Sequence, residues 1–401
     1  MAHQKAPQTP RRWARWTRWA VLSVVLAGMT LLGYLHQELA VDKPAGVDAL
    51  CPFGGLETLF SLVTTGAMLK KVAVASVILL VATVAMALLA RRSFCGRVCP
   101  LGFLQELMGG LGHRVLRGRR TMPAALDRPA RLLKYAVLAG FIGLAWATAD
   151  LAIRPYDPWV AWQHLTSADL ITDFAPGLAV LGVALAGSFV YDRFFCKYLC
   201  PMGAFLGLFS KASLFRVTRT TANCIDCRAC DKACPMNVTV SAVQKVDSPE
   251  CISCGECVTA CPVKDTLAFA GPGSRRVSPV VAAAGLAAGF ALIVGATTLS
   301  GHFDWTAPSF AQSVAETAPA PDGSFDVGLI KGSSVLAEVM DAAGIPPETV
   351  EQVFGVPVAE QDRPIKDIKS VYGFSPEDVR TFVEIYRQDP EAAAAFVPAG
   401  E

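Results

Sequence analysis

Five stretches of this chain are close to bilayer thickness and almost free of charge. Trp19 to Gln37, Val72 to Ala90, Phe174 to Tyr191 and the segment between Arg276 and Asp304 contain no Asp, Glu, Lys or Arg; Leu132 to Thr148 contains Lys134 alone. A helix rises 1.5 Å per residue, so about 20 apolar residues cross the hydrocarbon core. Lipid offers the backbone no hydrogen-bond partners, which restricts such segments to helices that satisfy themselves. Composition agrees, with 53% hydrophobic and 17% charged residues among 401. The expected fold class is therefore mainly α: a polytopic membrane protein of about five transmembrane helices, built on a repeated two-span unit. A basic start before an apolar run also fits a cleaved signal peptide, but span length and the interfacial Trp13, Trp16 and Trp19 favour a permanent anchor.

Orientation follows from Lys and Arg, which accumulate on the cytoplasmic side. Arg91, Arg92, Arg97, Arg114, Arg117, Arg119, Arg120, Arg128 and Arg131 lie between the second and third runs, whereas only Arg154 lies between the third and fourth. This expectation puts the N-terminus and the Cys95 loop in the cytoplasm of an inner-membrane protein and the residues after the fifth run outside. Lys134, near the start of its run, is expected to snorkel to the headgroups. A net charge of +2 gives no reason to expect a nucleic-acid partner.

Between the fourth and fifth runs the pattern C-x2-C-x2-C-x3-C-P occurs twice. The first copy is Cys224, Cys227, Cys230, Cys234 and Pro235; the second is Cys251, Cys254, Cys257, Cys261 and Pro262. Closely spaced cysteines also serve disulfide frameworks and zinc sites. Zinc sites use two separated pairs, however, and a reducing cytosol disfavours disulfides. Two runs of four, each ending in Cys-Pro, fit two 4Fe-4S clusters. In two-cluster ferredoxins the fourth cysteine of each run serves the other cluster. The expected sets are Cys224, Cys227, Cys230 with Cys261, and Cys251, Cys254, Cys257 with Cys234.

A second pattern, F-C-x3-C-P-x-G, occurs at Phe94 to Gly102 and again at Phe195 to Gly203, each time after a span entering the cytoplasm. Such a parallel repeat suggests a pseudo-two-fold axis along the membrane normal, which would gather Cys95, Cys99, Cys196 and Cys200. Cysteines at i and i+4 share a helix face, and the proline that follows fits the first turn of a new helix or ends the old one. Ligation of a further centre, a redox thiol pair and structural support all fit, and so do plainly buried cysteines. Iron above about eight per chain would mark an extra centre.

On the outer side, Cys51-Pro52-Phe53-Gly54 weakly repeats the C-P-x-G theme, and the opposite loop holds Asp157 and His164. An acid, a histidine and aromatics at a lipid interface suit a quinone ring and the protons of its quinol. Ordinary polar residues beside an aromatic belt fit equally. No histidine lies mid-span, so b-type haem is not expected. The chain also lacks a nucleotide or flavin fingerprint.

The expected division is 1–18 cytoplasmic, 19–215 a four-span membrane domain, 216–274 a two-cluster ferredoxin-like domain, 277–303 a fifth span, 304–325 a linker, and 326–401 a small helical periplasmic domain. In the last, Ser375-Pro376-Glu377-Asp378 reads as a helix start.

From about Trp13 to Leu267 the paired spans, the two C-x3-C-P motifs and the double cluster motif resemble the membrane-bound ferredoxin-type proteins typified by the NapH subunit of periplasmic nitrate reductase systems. The wider group includes electron-transfer proteins of nitrous oxide reduction and a copper-handling assembly protein. The resemblance implies quinol oxidation coupled to electron delivery through two cytoplasmic 4Fe-4S clusters, with membrane lipid, quinone and other subunits of a respiratory complex as partners. The fifth span and helical tail depart from the minimal pattern, leaving a partner at the tail, a metal reductase or maturation role, and a redox-sensing role as alternatives. The copper-handling branch has an all-β tail domain, which this helical pattern does not match.

Overall fold

The computed structural model describes residues 8–39, 44–46, 50–65, 74–148, 153–167, 169–306, 310–316, 324–330, 332 and 334–398. It is mostly helical and divides into two compact units, residues 1–37 with 46–305, and 38–45 with 306–401.

The larger unit begins with α1 (Gln8–Glu38), α2 (Pro52–Thr65), α3 (Val74–Ala90), the short α4 (Ser93–Arg97), α5 (Pro100–Val115) and α6 (Ala124–Thr148). It continues with α7 (Pro158–Gln163), α8 (Asp169–Thr172), α9 (Ala175–Val190), α10 (Phe194–Tyr198) and α11 (Pro201–Phe209). Among the described residues three helices are long and apolar enough to cross a membrane, at Arg12–Glu38, Ala124–Ala147 and Val280–Leu299, and no more than 17% of any of these spans is buried. Apolar surface left this exposed on long helices faces lipid in a membrane protein. The other two runs form helices of 17 and 16 residues. Residues 72 and 73 of the second run lie outside the described residues, and Pro176 opens the fourth.

The internal repeat is a repeat of structure. In both halves an apolar helix (α3, α9) leads to a five-residue helix (α4, α10), a break at the second cysteine, and a helix opened by proline (α5, α11). Each opening helix packs on the other half: α5 on α9, and α11 on α3. The break corrects one expectation. Cys95 and Cys99 do not share one helix, because extended backbone at Cys99 (φ −60°, ψ 115°) and Cys200 (φ −66°, ψ 111°) turns the chain before the proline. The residue before a proline is driven out of the helical region, so the C-P pair itself imposes the break.

The insert carries β1 (Arg216–Arg219), α12 (Ala229–Ala233), α13 (Glu256–Ala260), β2 (Leu267–Ala270) and β3 (Arg276–Val277), followed by α14 (Pro279–Leu299). The strands form one antiparallel sheet in the order β1-β2-β3, with Val217 opposite Phe269 and Phe269 opposite Val277. Val217, Met236, Val240, Ile252, Val258 and Phe269 form the core under the cysteine loops.

The smaller unit contains α15 (Phe310–Glu316), α16 (Leu336–Ala343), α17 (Pro347–Phe354), α18 (Ile365–Tyr372), α19 (Pro376–Gln388) and α20 (Pro390–Ala393). Part of the expected linker belongs to this unit. Phe310 is buried and stacks edge-on against Phe325 at 5.2 Å, and its backbone N–H donates to Glu338. Burying an aromatic ring outweighs the Ala/Pro/Ser composition around it. Helices α16–α17 and α18–α19 are two copies of a hairpin, each joined through a glycine at φ 69° (Gly344, Gly373) that the left-handed turn requires. Ser375 and Asp378 close a reciprocal capping box at the start of α19. Ser375→Ala should weaken that helix by about 1 kcal/mol. Amide exchange across residues 376–388 should then run several-fold faster in the variant.

Candidate iron-sulfur centres and their cradle

Two cavities lie in the insert. One is lined by Cys224, Cys227, Cys230 and Cys261, the other by Cys234, Cys251, Cys254 and Cys257. Each thus takes three cysteines from one run and the fourth from the other. The loops share left-handed residues at matching positions as well as spacing. Asp226 (φ 50°) and Arg228 (φ 53°) in the first run match Ser253 (φ 49°) and Gly255 (φ 83°) in the second, all left-handed. Alternating hand turns successive backbone N–H groups toward one side, the geometry of an anion-binding nest. The Val238 N–H donates to Cys234 Sγ at 3.4 Å. Burial pushes the Cys230 thiol up to about 11, and it raises Cys234, Cys251, Cys254 and Cys257 as well. Metal or cluster binding would hold such thiols as thiolates.

All thirteen cysteines are free of disulfides. Among the described residues, no three His, Cys, Asp or Glu side chains converge on a single-ion position. Four thiols spaced around a cavity, with N–H groups aimed at sulfur, fit a cluster better than a zinc ion.

The two cavities differ in surroundings. Cys227 is exposed, whereas the second cavity lies beneath the C-x3-C-P loops. A Cβ on Gly96, inside the Cys95–Cys99 turn, would stand 2.1 Å from the Ile252 carbonyl oxygen. Lys197, inside the Cys196–Cys200 turn, donates to Asn237 at 3.1 Å, three residues after Cys234. The two turns therefore hold the two segments that line this cavity.

Arginines exchanged between the halves hold the turns. Arg92 donates to the Cys196 carbonyl at 3.3 Å, and Arg193 donates to the Cys95 carbonyl at 2.7 Å. Each guanidinium lies over the other half's C-P-x-G glycine, where a Cβ would stand 2.4 Å (Gly203) or 2.9 Å (Gly102) from it. Sequence reading caught the F-C-x3-C-P-x-G pattern but missed this arginine, which stands two residues before the phenylalanine in both copies. Arg92 pairs with Glu250 at 3.1 Å and Arg193 with Glu106 at 2.8 Å. Burial disfavours the Glu106 carboxylate, yet Arg18 and Arg193 more than offset this and hold it down at about 2.

Two further basic residues, Arg18 just before the first apolar run and Lys134 within the third, are buried contacts. Arg18 of α1 is 2% exposed, pairs with Glu106 and Glu256 and donates to the Gly96 carbonyl at 2.8 Å. Lys134 does not reach for headgroups: its ammonium is buried against Glu250, next to Cys251.

Cys95, Cys99, Cys196 and Cys200 lie within electrostatic reach of one another. Cys196 Sγ accepts from Gln105 and Cys200 Sγ from the Gly203 N–H, both at 3.2 Å. Burial raises the Cys99, Cys196 and Cys200 thiols, the reverse of an activated redox thiol.

The outer-loop candidates are held by separate contacts. Cys51 precedes α2 and packs beside Phe53 and Leu56; Asp157 caps α7, accepting from the Trp159 N–H at 2.7 Å. His164 stacks on Phe174 at 4.2 Å, with Gln37 at 3.2 Å from its Nδ1.

Gly96→Ala should lower thermal stability in detergent, because backbone must move. Gly110→Ala, mid-helix on α5 with nothing within 4 Å, should raise it by about 0.5–1 kcal/mol.

Comparison with known proteins agrees with this arrangement. A 4Fe-4S binding domain family matches residues 72–120 and again 174–220, one copy on each C-x3-C-P half, and a 4Fe-4S dicluster domain family matches residues 216–262. A putative electron transport protein of Escherichia coli, YccM, is 35% identical over 57% of this chain and 65% of its own. Protein MJ0750 of Methanocaldococcus jannaschii is 32% identical over 50% of this chain and 78% of its own. The methylamine utilization ferredoxin-type protein MauN of Methylobacillus flagellatus is 30% identical over 56% and 76%. The chain thus spans just under two thirds of YccM. No solved structure matches it. With its duplicated half, its dicluster insert and these relatives, the chain belongs to the membrane-associated ferredoxin-type 4Fe-4S proteins of the NapH/NosR type.

Proposed function

We propose that the chain is a multi-pass inner-membrane subunit that exchanges single electrons between the quinone pool and a redox partner. The ligands are Cys224, Cys227, Cys230 and Cys261 for one 4Fe-4S cluster, and Cys251, Cys254, Cys257 and Cys234 for the other. The observation that carries this reading is the lining of the two cavities, each drawn three-plus-one from the two runs. Bound clusters would supply one-electron transfer at a potential set by burial, charge and hydrogen bonds to sulfur.

The protein's own contribution is placement. The cavity at Cys251 is cradled by loops that follow apolar helices, which suits exchange with the membrane. The cavity at Cys224 reaches solvent through Cys227, which suits exchange with a partner. On the opposite side, His164 is the best-supported proton acceptor for a quinol. Its ring is stacked on Phe174, and Arg154 lies over the same aromatic ring at 5.1 Å. In this reading the apolar helices cross the membrane five times, with the N-terminus and the cluster insert in the cytoplasm and the two-hairpin C-terminal unit in the periplasm as a docking module; the excess of Lys and Arg between the second and third runs supports it. The names of YccM and MauN, an electron transport protein and a ferredoxin-type protein, support the electron-transfer class.

Quinol added anaerobically to the detergent-solubilised protein should bring up the electron paramagnetic resonance signals of reduced clusters, and His164→Ala should slow that reduction. Clusters that stay oxidised at every quinol potential would contradict the reading. Iron at about eight per chain is expected; more would assign a centre to Cys95, Cys99, Cys196 and Cys200.

A further inference from the structure

One buried cation at this junction makes no ion pair with a carboxylate among the described residues. Arg97 lies within the Cys95–Cys99 turn and is 3% exposed. Arg18, Arg92 and Arg193, buried to a similar degree, each pair with Glu106, Glu250 or Glu256. Arg97 pairs with none of them: its Nε has no hydrogen-bond partner, and among the described residues no ion pair joins it to a carboxylate. Its guanidinium stands 5.6 Å from the centroid of the Phe269 ring, and a Cβ on Gly255 would stand 3.8 Å from its Nη2. Gly255 lines the cavity between Cys254 and Cys257. Arginine keeps its proton even when buried, so Arg97 is charged at neutral pH, and the carboxylate acting on it, Glu256, is itself paired with Arg15 and Arg18. An unpaired charge out of water is unfavourable enough that proteins neutralise it or pair it, and arginine does not lose its proton.

We propose that the counter-ion of Arg97 is the cluster bound by Cys251, Cys254, Cys257 and Cys234, and that Arg97 raises the reduction potential of this site above that of the site at Cys224. The inference rests on the ligand sets proposed above. A cubane with four thiolates is anionic and gains one further negative charge with each electron accepted. A fixed cation held beside it in low dielectric stabilises the reduced form more than the oxidised form. The cations at the other site are paired or in water: Arg219 is paired with Asp226 at 3.6 Å, Arg228 lines the cavity but is exposed, and Cys227 is open to water, which screens charge. The junction thus gives the two sites different potentials with the same ligand chemistry. Arg97 acts as a positioning residue: it sets the electrostatic field without ligating iron.

The test is an anaerobic redox titration of the full-length protein in detergent, followed by electron paramagnetic resonance, with iron counted in each sample. In the wild type two cluster signals should titrate separately. In Arg97→Gln, which removes the charge and keeps hydrogen-bonding bulk, the higher midpoint should fall while the lower one stays. In Arg97→Lys, which keeps the charge, both midpoints should stay near wild type. If Arg97→Gln loses one cluster and Arg97→Lys keeps both, the charge is what retains the cluster and the proposal stands. Both midpoints unchanged in a fully loaded Arg97→Gln would overturn it, as would loss of a cluster in both variants. Fewer than two clusters in the wild type would instead reject the ligand sets on which it rests.

Discussion

Buried charge at the junction between the two halves and the insert must be balanced, and much of the larger unit is arranged around that balance. Arg18, Arg92, Arg193 and Lys134 are all within 2% of full burial. Glu106 receives Arg18 and Arg193; Glu250 receives Arg92 and Lys134; Glu256 receives Arg18. Removing one partner of such a pair typically costs about 3–5 kcal/mol, because the other is left charged and dry. The carboxylates come from different parts of the chain, Glu106 from α5 and Glu250 and Glu256 from the insert. The balance therefore ties the insert to α1, α6 and both cysteine turns. In ordinary topology reasoning these basic residues only mark the cytoplasmic side. Here several of them are also buried contacts that hold the ligand-bearing loops in register.

The glycines follow from the same constraint. Gly102 and Gly203 leave room for the guanidinium arriving from the opposite half, and Gly96 leaves room for the Ile252 carbonyl. A repeat whose halves exchange arginines is self-complementary, so the pseudo-two-fold relation is enforced by side chains as well as by helix packing. The second cavity lies where the two turns meet the insert, which gives the repeat a physical purpose as a cradle for cluster-bearing loops.

Much of this was legible in the sequence, because spacing encodes it. Two matching cysteine runs raise the expectation of two ligand sets that exchange their fourth cysteine; C-P reads as a helix start or a helix end, and Pro100 and Pro201 both open helices. The capping box at Ser375 and the helices of the tail were readable from local chemistry. The burial of Arg18 and Lys134 was not, since a basic residue at a span end reads the same whether it meets headgroups or a carboxylate from residue 250. The i, i+4 rule misled for Cys95 and Cys99, because proline at the next position breaks the helix they would share. Phe310 was hidden by its Ala/Pro/Ser-rich neighbourhood, where composition outvoted one aromatic ring. The partners of Asp157 and His164 likewise depend on distant residues that local pattern does not reach.

The central claim is that charge closure at the junction holds the Cys251–Cys257 loop in its cradle. Glu250→Gln tests it most directly, since it leaves Arg92 and Lys134 without their shared carboxylate while every cysteine remains. Electron paramagnetic resonance of the reduced, full-length protein should show one cluster signal diminished or altered and the other retained, together with a lower melting temperature in detergent. Two signals identical to those of the wild type and an unchanged melting temperature would contradict the account.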